Sequence, residues 1–410
     1  MNVRPFCRST CAAVMSLAAL VVFAADNARY AQIERVLPPT PSPSDRFGWS
    51  VDIDGDAMVV SRVDFTPGDG VDGAGIYLYR RNGAVWQFEA QLRPRDVVPV
   101  NLHPADVAIS GNHVVIGTPN GGAQQEGRAY LWARDETSGR WDQVRVLKSS
   151  RPATAYAGFG NAVDIDGNTL VVSASGEPGD DGRYGAAHVF QRGTTGWRHA
   201  RRIAPPAERP LVLGFGDAVA IGGSHLIVGA GYTTGDNGRD AAGSALVFAR
   251  NEGGTGRWGF VTDLKSTSPD EADSCGISVG ISAGMAAMGC DAPDEVWVKR
   301  IDTEAPPLRL ATEDPSDNFG LSLDLKRGRL LVTGRTEAAD GTGRAYVYRC
   351  AGTAPLQCTL YDTLSNTPDD RRYGFDVAID KAGTVAVSGA DGNLGAAEGG
   401  AVFVHTEAVP

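Results

Sequence analysis

Alternating apolar and polar positions, broken every few residues by a glycine turn, run along almost the whole chain. One version reads FGWSVDIDGDAMVVS from Phe47; it returns as FGNAVDIDGNTLVVS from Phe159 and FGDAVAIGGSHLIVG from Phe215. Looser copies begin at His103, Cys275, Phe319 and Tyr373. The first four starts lie 56 residues apart, and the later steps are 60, 44 and 54. Self-similarity at such a period marks a repeat architecture, in which a single unit cannot bury its apolar face alone.

Each unit carries four strand signals in one order, which in the first are FGWSVDI, AMVVS, GIYLYR and WQFEAQL. Period-two alternation rich in Val, Ile, Tyr and Phe and bounded by Gly, Asp and Asn is the signature of a strand. Four antiparallel strands repeated seven times predict an all-β fold, a seven-bladed β-propeller of four-stranded blades. The last unit stops after its third strand signal, whereas AQIERVLPP from Ala31 matches the fourth-strand phrase WQFEAQLRP from Trp86. The amino-terminal strand is therefore expected to complete the last blade and close the ring, leaving no unpaired edge where the chain ends meet.

Side chains alternate faces along a strand. Phe47, Val51 and Ile53 then share one face, and Gly48, Ser50 and Asp52 the other. A bulky face on one blade can pack against a small face on its neighbour, so the Phe-Gly residues read as packing residues. Trp86, Trp141, Trp197 and Trp258 recur in register on the fourth strands and read the same way.

Composition adds the setting. Arg4 and Arg8 precede an apolar run from Cys11 to Ala24, the layout of a secretory signal peptide and too short for a membrane anchor. Residues 1–25 are expected to be removed, with cleavage near Ala24 or Ala25, leaving 26–410 as one propeller with no membrane span. The expected location is secreted, periplasmic or on the cell surface. Four cysteines remain after such cleavage, and an even count in an exported chain favours disulfides. Four cysteines allow three connectivities. The repeat register selects Cys275–Cys290, which flank the turn at Ser282-Ala283-Gly284, and Cys350–Cys358, which flank Ala354-Pro355. A net charge of −11 without a basic stripe excludes the electrostatic footprint of a nucleic-acid binder.

These phrases resemble the FG-GAP repeats of the integrin α-subunit head, and more closely those of exported bacterial proteins built from the same repeats. The resemblance covers about residues 30–408. Its Phe-Gly half is strong at Phe47, Phe159, Phe215 and Phe319, while its Gly-Ala-Pro half is degraded to GTP at Gly117, GAG at Gly229 and GCDAP at Gly289. The resemblance implies a propeller with a recognition or adhesion role and specifies no ligand. Many repeats of that family carry an Asp/Asn-rich calcium loop between the first two strands. Here the loop is a tight turn, as in Asp54-Gly55-Asp56 and Asp166-Gly167-Asn168, and supplies too few oxygens for the six to eight ligands calcium takes.

The strand order puts the fourth-to-first and second-to-third connections on one rim and the short turns on the other. The long connections present Asp64, Asp69 and Asp72; Asp180 and Asp181; Asp236 and Asp240; and Asp340. Loops on a rigid scaffold are where binding usually resides, although Asp-Gly pairs also simply shape solvated turns. The spacing of Asp64, Asp69 and Asp72 could fold around one calcium ion. Tyr184 and Tyr232 lie in or beside the same loops and are candidates for stacking on sugar rings. The six histidines show no paired metal spacing, and no nucleophile elbow or phosphate loop occurs. The sequence favours a monomer that binds an extracellular protein or glycan through this rim, with no catalytic residues and no obligatory cofactor. A polysaccharide hydrolase or lyase using rim carboxylates, and a structural matrix component, are the alternatives.

Overall fold

A computed structural model gives the architecture and describes residues 29–41, 46–63, 75–83, 85–95, 105–207, 212, 214–231, 243–266, 274–291, 294–312, 318–335, 343–365, 373–389 and 399–408. Its strands form seven four-stranded antiparallel sheets. Six sheets are sequential, with blade 1 spanning 46–92, blade 2 106–147, blade 3 159–203, blade 4 215–264, blade 5 275–311 and blade 6 323–365. In blade 7 the strands Tyr373–Ile379, Val385–Gly389 and Ala401–Glu407 are joined by Tyr30–Val36, which pairs antiparallel with Ala401–Glu407 from Tyr30↔Glu407 to Val36↔Val402. Among the described residues no helix is long and apolar enough to cross a membrane.

The buried apolar side chains fall into seven clusters, one at each junction between neighbouring blades. Phe159, for example, packs with Val163 and Ile165 of its own strand against Val115, Ala129 and Leu131 of blade 2. At the closing junction Phe47 and Val51 meet Ala378, Val402 and Val404 of blade 7. The second strands feed both of their junctions: Val59 lies in the cluster toward blade 2, and Met58 and Val60 lie in the one toward blade 7. That is why they read as unbroken apolar runs rather than as alternations. Trp86, Trp197 and Trp258 are buried at 4–6% exposure, as their register implied, and Trp141 packs partly buried beside its junction cluster.

The Phe-Gly motif has a steric cause. Between Phe159 and Val163 the ladder slips, and Gly160 takes a left-handed φ of 93° that turns the strand toward blade 2. A Cβ on Gly160 would collide with the Arg128 carbonyl of blade 2, one on Gly117 with the Gly160 carbonyl, and one on Gly127 with the Phe159 backbone. Three glycines thus let adjacent blades meet backbone to backbone. Gly229 and Gly289 stand against the Gly276 and Gly320 carbonyls in the same way, so the surviving glycine of the degraded Gly-Ala-Pro half is its steric part.

Both disulfides fall where the register put them. Cys275 and Cys290 pair directly across the first two strands of blade 5, and Cys350 and Cys358 across the last two of blade 6. Cys275 stands at the Phe position of its repeat and is fully buried, so the bridge fills a place that an aromatic ring fills elsewhere.

Candidate functional site

Polar chemistry gathers first along the axis. The inner strands carry Asp52, Asp106, Asp164, Asp324 and Asp376, of which the alternation had grouped Asp52 with the small residues. Each reaches sideways and accepts a backbone N–H of the following blade. Ile109 N donates to Asp52 at 2.7 Å, Val163 N to Asp106 at 2.8 Å and Ile221 N to Asp164 at 2.7 Å. Ile379 N donates to Asp324 at 2.9 Å and Val51 N to Asp376 at 2.9 Å. The turns add a second tier, in which Gly111 N and Gly223 N donate to Asp54 and Asp166, each at 2.8 Å. These bonds join residues 55 to 57 apart within the chain, or close the ring at Asp376–Val51.

Two cavities of about 520 and 310 Å3 lie along this axis, and Asp52 and Lys326 line both. The Lys326 ammonium sits 3.5 Å from Asp324, and the charges of Asp324, then of Asp164 and Asp52, hold its pKa far above the usual lysine range. Burial pushes the carboxyl of Asp106 up to about 7 and that of Asp217 up to about 6; it also raises Asp52, Asp164 and Asp376. A carboxylate already bonded to backbone amides and held inside the ring serves to stitch blades together. The axial acids read as fasteners.

The second place is a buried polar network in blade 3. Glu177 is 1% exposed and accepts from Ser149 Oγ and from Arg202 Nε, while the fully buried His188 lies with Nε2 3.0 Å from it. His188 Nδ1 is 3.1 Å from His199 Nε2. Burial by itself would raise Glu177, but the His188, Ser149 and Arg202 hydrogen bonds override it and hold the pKa at about 2. Burial and then the His188 charge bring His199 down to about 4. The serine is bonded to the carboxylate rather than to an imidazole, and His188 has no exposed surface. The set therefore lacks the nucleophile–base contact that covalent catalysis requires. Among the described residues no three His, Cys, Asp or Glu side chains converge as a metal set.

The third place is the long-connection rim above that network. Asp180 forms a two-point ion pair with Arg151, whose Nη1 is 3.1 Å from Oδ2, and the Arg151 hydrogen bonds, then its charge, keep the Asp180 carboxyl below its ordinary range. Asp181 accepts from Arg183 Nε at 2.8 Å and is lowered in the same way. Arg183 also donates to the Pro206 carbonyl at 2.8 Å. Tyr184, at the start of the third strand, is 56% exposed. The structure thus brings Asp180, Asp181 and Tyr184 to one patch. Asp64, Asp69, Asp72, Tyr232, Asp236, Asp240 and Asp340 lie outside the described residues.

The sequence reading missed two members of this region. Tyr156, on the connection into blade 3, is 71% exposed and holds a left-handed φ of 60°. The Glu177–His188–His199 network was hidden as well, although His188 and His199 flank one hairpin and could have been paired across it.

The FG-GAP repeat model matches residues 30–79 and 141–190. Each match begins in a fourth strand and ends in the third strand of the next unit, the same offset that lets Tyr30–Val36 supply the fourth strand of blade 7. The chain is a β-propeller that carries FG-GAP repeats in those two stretches. No curated protein matches its sequence. Among solved structures, a proposed 6-phosphogluconolactonase from Bacteroides fragilis is similar to this propeller at 14% identity and a TM-score of 0.50, over 81% of this chain and 87% of that one. At that identity the likeness concerns the fold alone.

Proposed function

We propose that this FG-GAP propeller is an exported, monomeric recognition protein, which binds an extracellular protein or a glycan through its long-connection rim and catalyses nothing. The observation that carries the reading is the disposition of its acids. Among the described residues, the axial carboxylates of Asp52, Asp106, Asp164, Asp324 and Asp376 accept backbone amides of the next blade, and those of Asp180 and Asp181 on the blade 3 rim pair with arginines. What the rim offers instead is rigid support and exposed aromatic surface, which suit binding. The proposed contact set is Asp180, Asp181 and Tyr184, extended by Asp64, Asp69, Asp72, Tyr232, Asp236, Asp240 and Asp340. Asp64, Asp69 and Asp72 are the proposed calcium ligands. Removal of residues 1–25 and passage to an oxidising compartment fit the two disulfides.

Screening the mature chain against glycan and extracellular-protein arrays, once with calcium and once with EDTA, tests this. Specific capture is expected, and its loss in EDTA would assign calcium to the three rim aspartates. Turnover of a polysaccharide without stable capture would overturn the reading in favour of an enzyme.

A further inference from the structure

The exposed large apolar side chains fall into two groups. Ile33, Val85, Phe88, Val144, Val261 and Leu360 all lie on fourth strands, the outer edge of each blade. Among the described residues Tyr156 and Tyr184 are the exceptions, and both belong to the connections at the blade 3 rim. Three connections meet there. The Tyr156 amide donates to the Gln125 carbonyl of the blade 2 rim at 3.1 Å, and Gly176 N donates to the Ala157 carbonyl at 3.0 Å. A Cβ on Gly176 would collide with the Tyr156 carbonyl, while Pro178, two residues on, pairs with Tyr184. The two tyrosines are therefore set on adjoining, tightly packed backbone.

Tyr156 is also strained. A bulky residue in the left-handed region is an outlier, and here it is the backbone bond to Gln125, not ring packing, that holds it, since the ring points to solvent. The exposed ring is left free to contact a ligand. Charge narrows the class of ligand. Arg151 pairs with Asp180 and Arg183 with Asp181, so the patch carries no net charge while offering planar arginine and carboxylate groups beside aromatic faces. A sialylated or sulfated ligand would meet Asp180, 86% exposed, and a cationic one would meet the arginines.

We infer that Tyr156 and Tyr184 form a stacking platform for a neutral oligosaccharide, with the Arg151–Asp180 and Arg183–Asp181 pairs available to its hydroxyls. This rests on the reading that the long-connection rim is the recognition face, and it names the ligand class there.

The test uses the mature full-length chain on a printed array of neutral, sialylated and sulfated oligosaccharides, followed by titration of the best neutral binder. Binding to neutral glycans is expected, and Tyr156→Ala and Tyr184→Ala should each weaken it about tenfold. The outer-strand change Val144→Ser should leave it unchanged. Tyr156→Gly gives a sharper readout, because it removes the ring and relieves the left-handed strain. Thermal stability should then rise while binding falls. Glycan capture that survives the double substitution would overturn the platform and leave the rim reading standing on other connections. Capture of a protein but no glycan would do the same. Capture of neither would sink both.

Discussion

Glycine and aspartate do the specific work at the scale of single residues. Gly160 is required twice over, by its φ and by the Arg128 carbonyl that stands where its Cβ would go. Gly167, in the turn of the same blade, has a φ of 58° but nothing within 4 Å of a built Cβ. Gly160→Ala is therefore expected to cost about 2–5 kcal/mol, and Gly167→Ala only about 1 kcal/mol. Urea midpoints of the two variants check this, and equal losses would show that the inter-blade contact is not what the motif is for. The packing half of the motif was legible in the sequence, because Phe159, Val163 and Ile165 follow period two. The role of Asp52 and Asp164 was not. A two-residue alternation records which face a side chain takes but not that its acceptor is an amide 57 residues on, in the next blade.

Blade 3 and blade 5 depart from the average blade in different ways. Blade 5 has Cys275 where others have Phe, and its bridge closes a separation of 15 residues, worth about 2–3 kcal/mol in the chain-entropy model. Replacing both Cys275 and Cys290 by Ala should lower stability by at least that amount, read from denaturant unfolding under non-reducing conditions. No change would show that packing alone holds this blade. Blade 3 has the Glu177–His188–His199 network, which makes a pH prediction. Between about 6.5 and about 4 the unfolded chain protonates His199 and the folded chain does not, so stability falls as pH drops through that window. Glu177 adds a further loss between about 4.5 and about 2. The melting temperature should thus drop more steeply on acidification in the parent chain than in His199→Gln, and parallel curves would contradict the assignment. The sequence showed six histidines without paired metal spacing, which gave no reason to join these two. The bulge between Val189 and Phe190 shifts the hairpin register that sets His188 beside His199.

For the whole molecule, the legible part was the count of blades and the phase of the repeat, since both follow from the recurrence of one phrase. The binding surface was much less so. Rim acids such as Asp180 and Asp181 were visible as a type, yet their arginine partners come from residue choices that no repeat enforces. Closure carries its own prediction. A chain lacking Tyr30–Val36 would expose the edge of Ala401–Glu407 and is expected to self-associate through it or lose cooperative unfolding. Size-exclusion chromatography and thermal unfolding read this, and an unaltered cooperative monomer would show that the strand is dispensable. The claim on which the functional account depends is that recognition takes place on the long-connection rim. Hydrogen–deuterium exchange of the mature protein, free and saturated with its best array binder, tests it most directly. The account predicts new protection at 149–158 and 176–184; protection confined to the short turns at 54–56, 166–168 and 222–224 would contradict it.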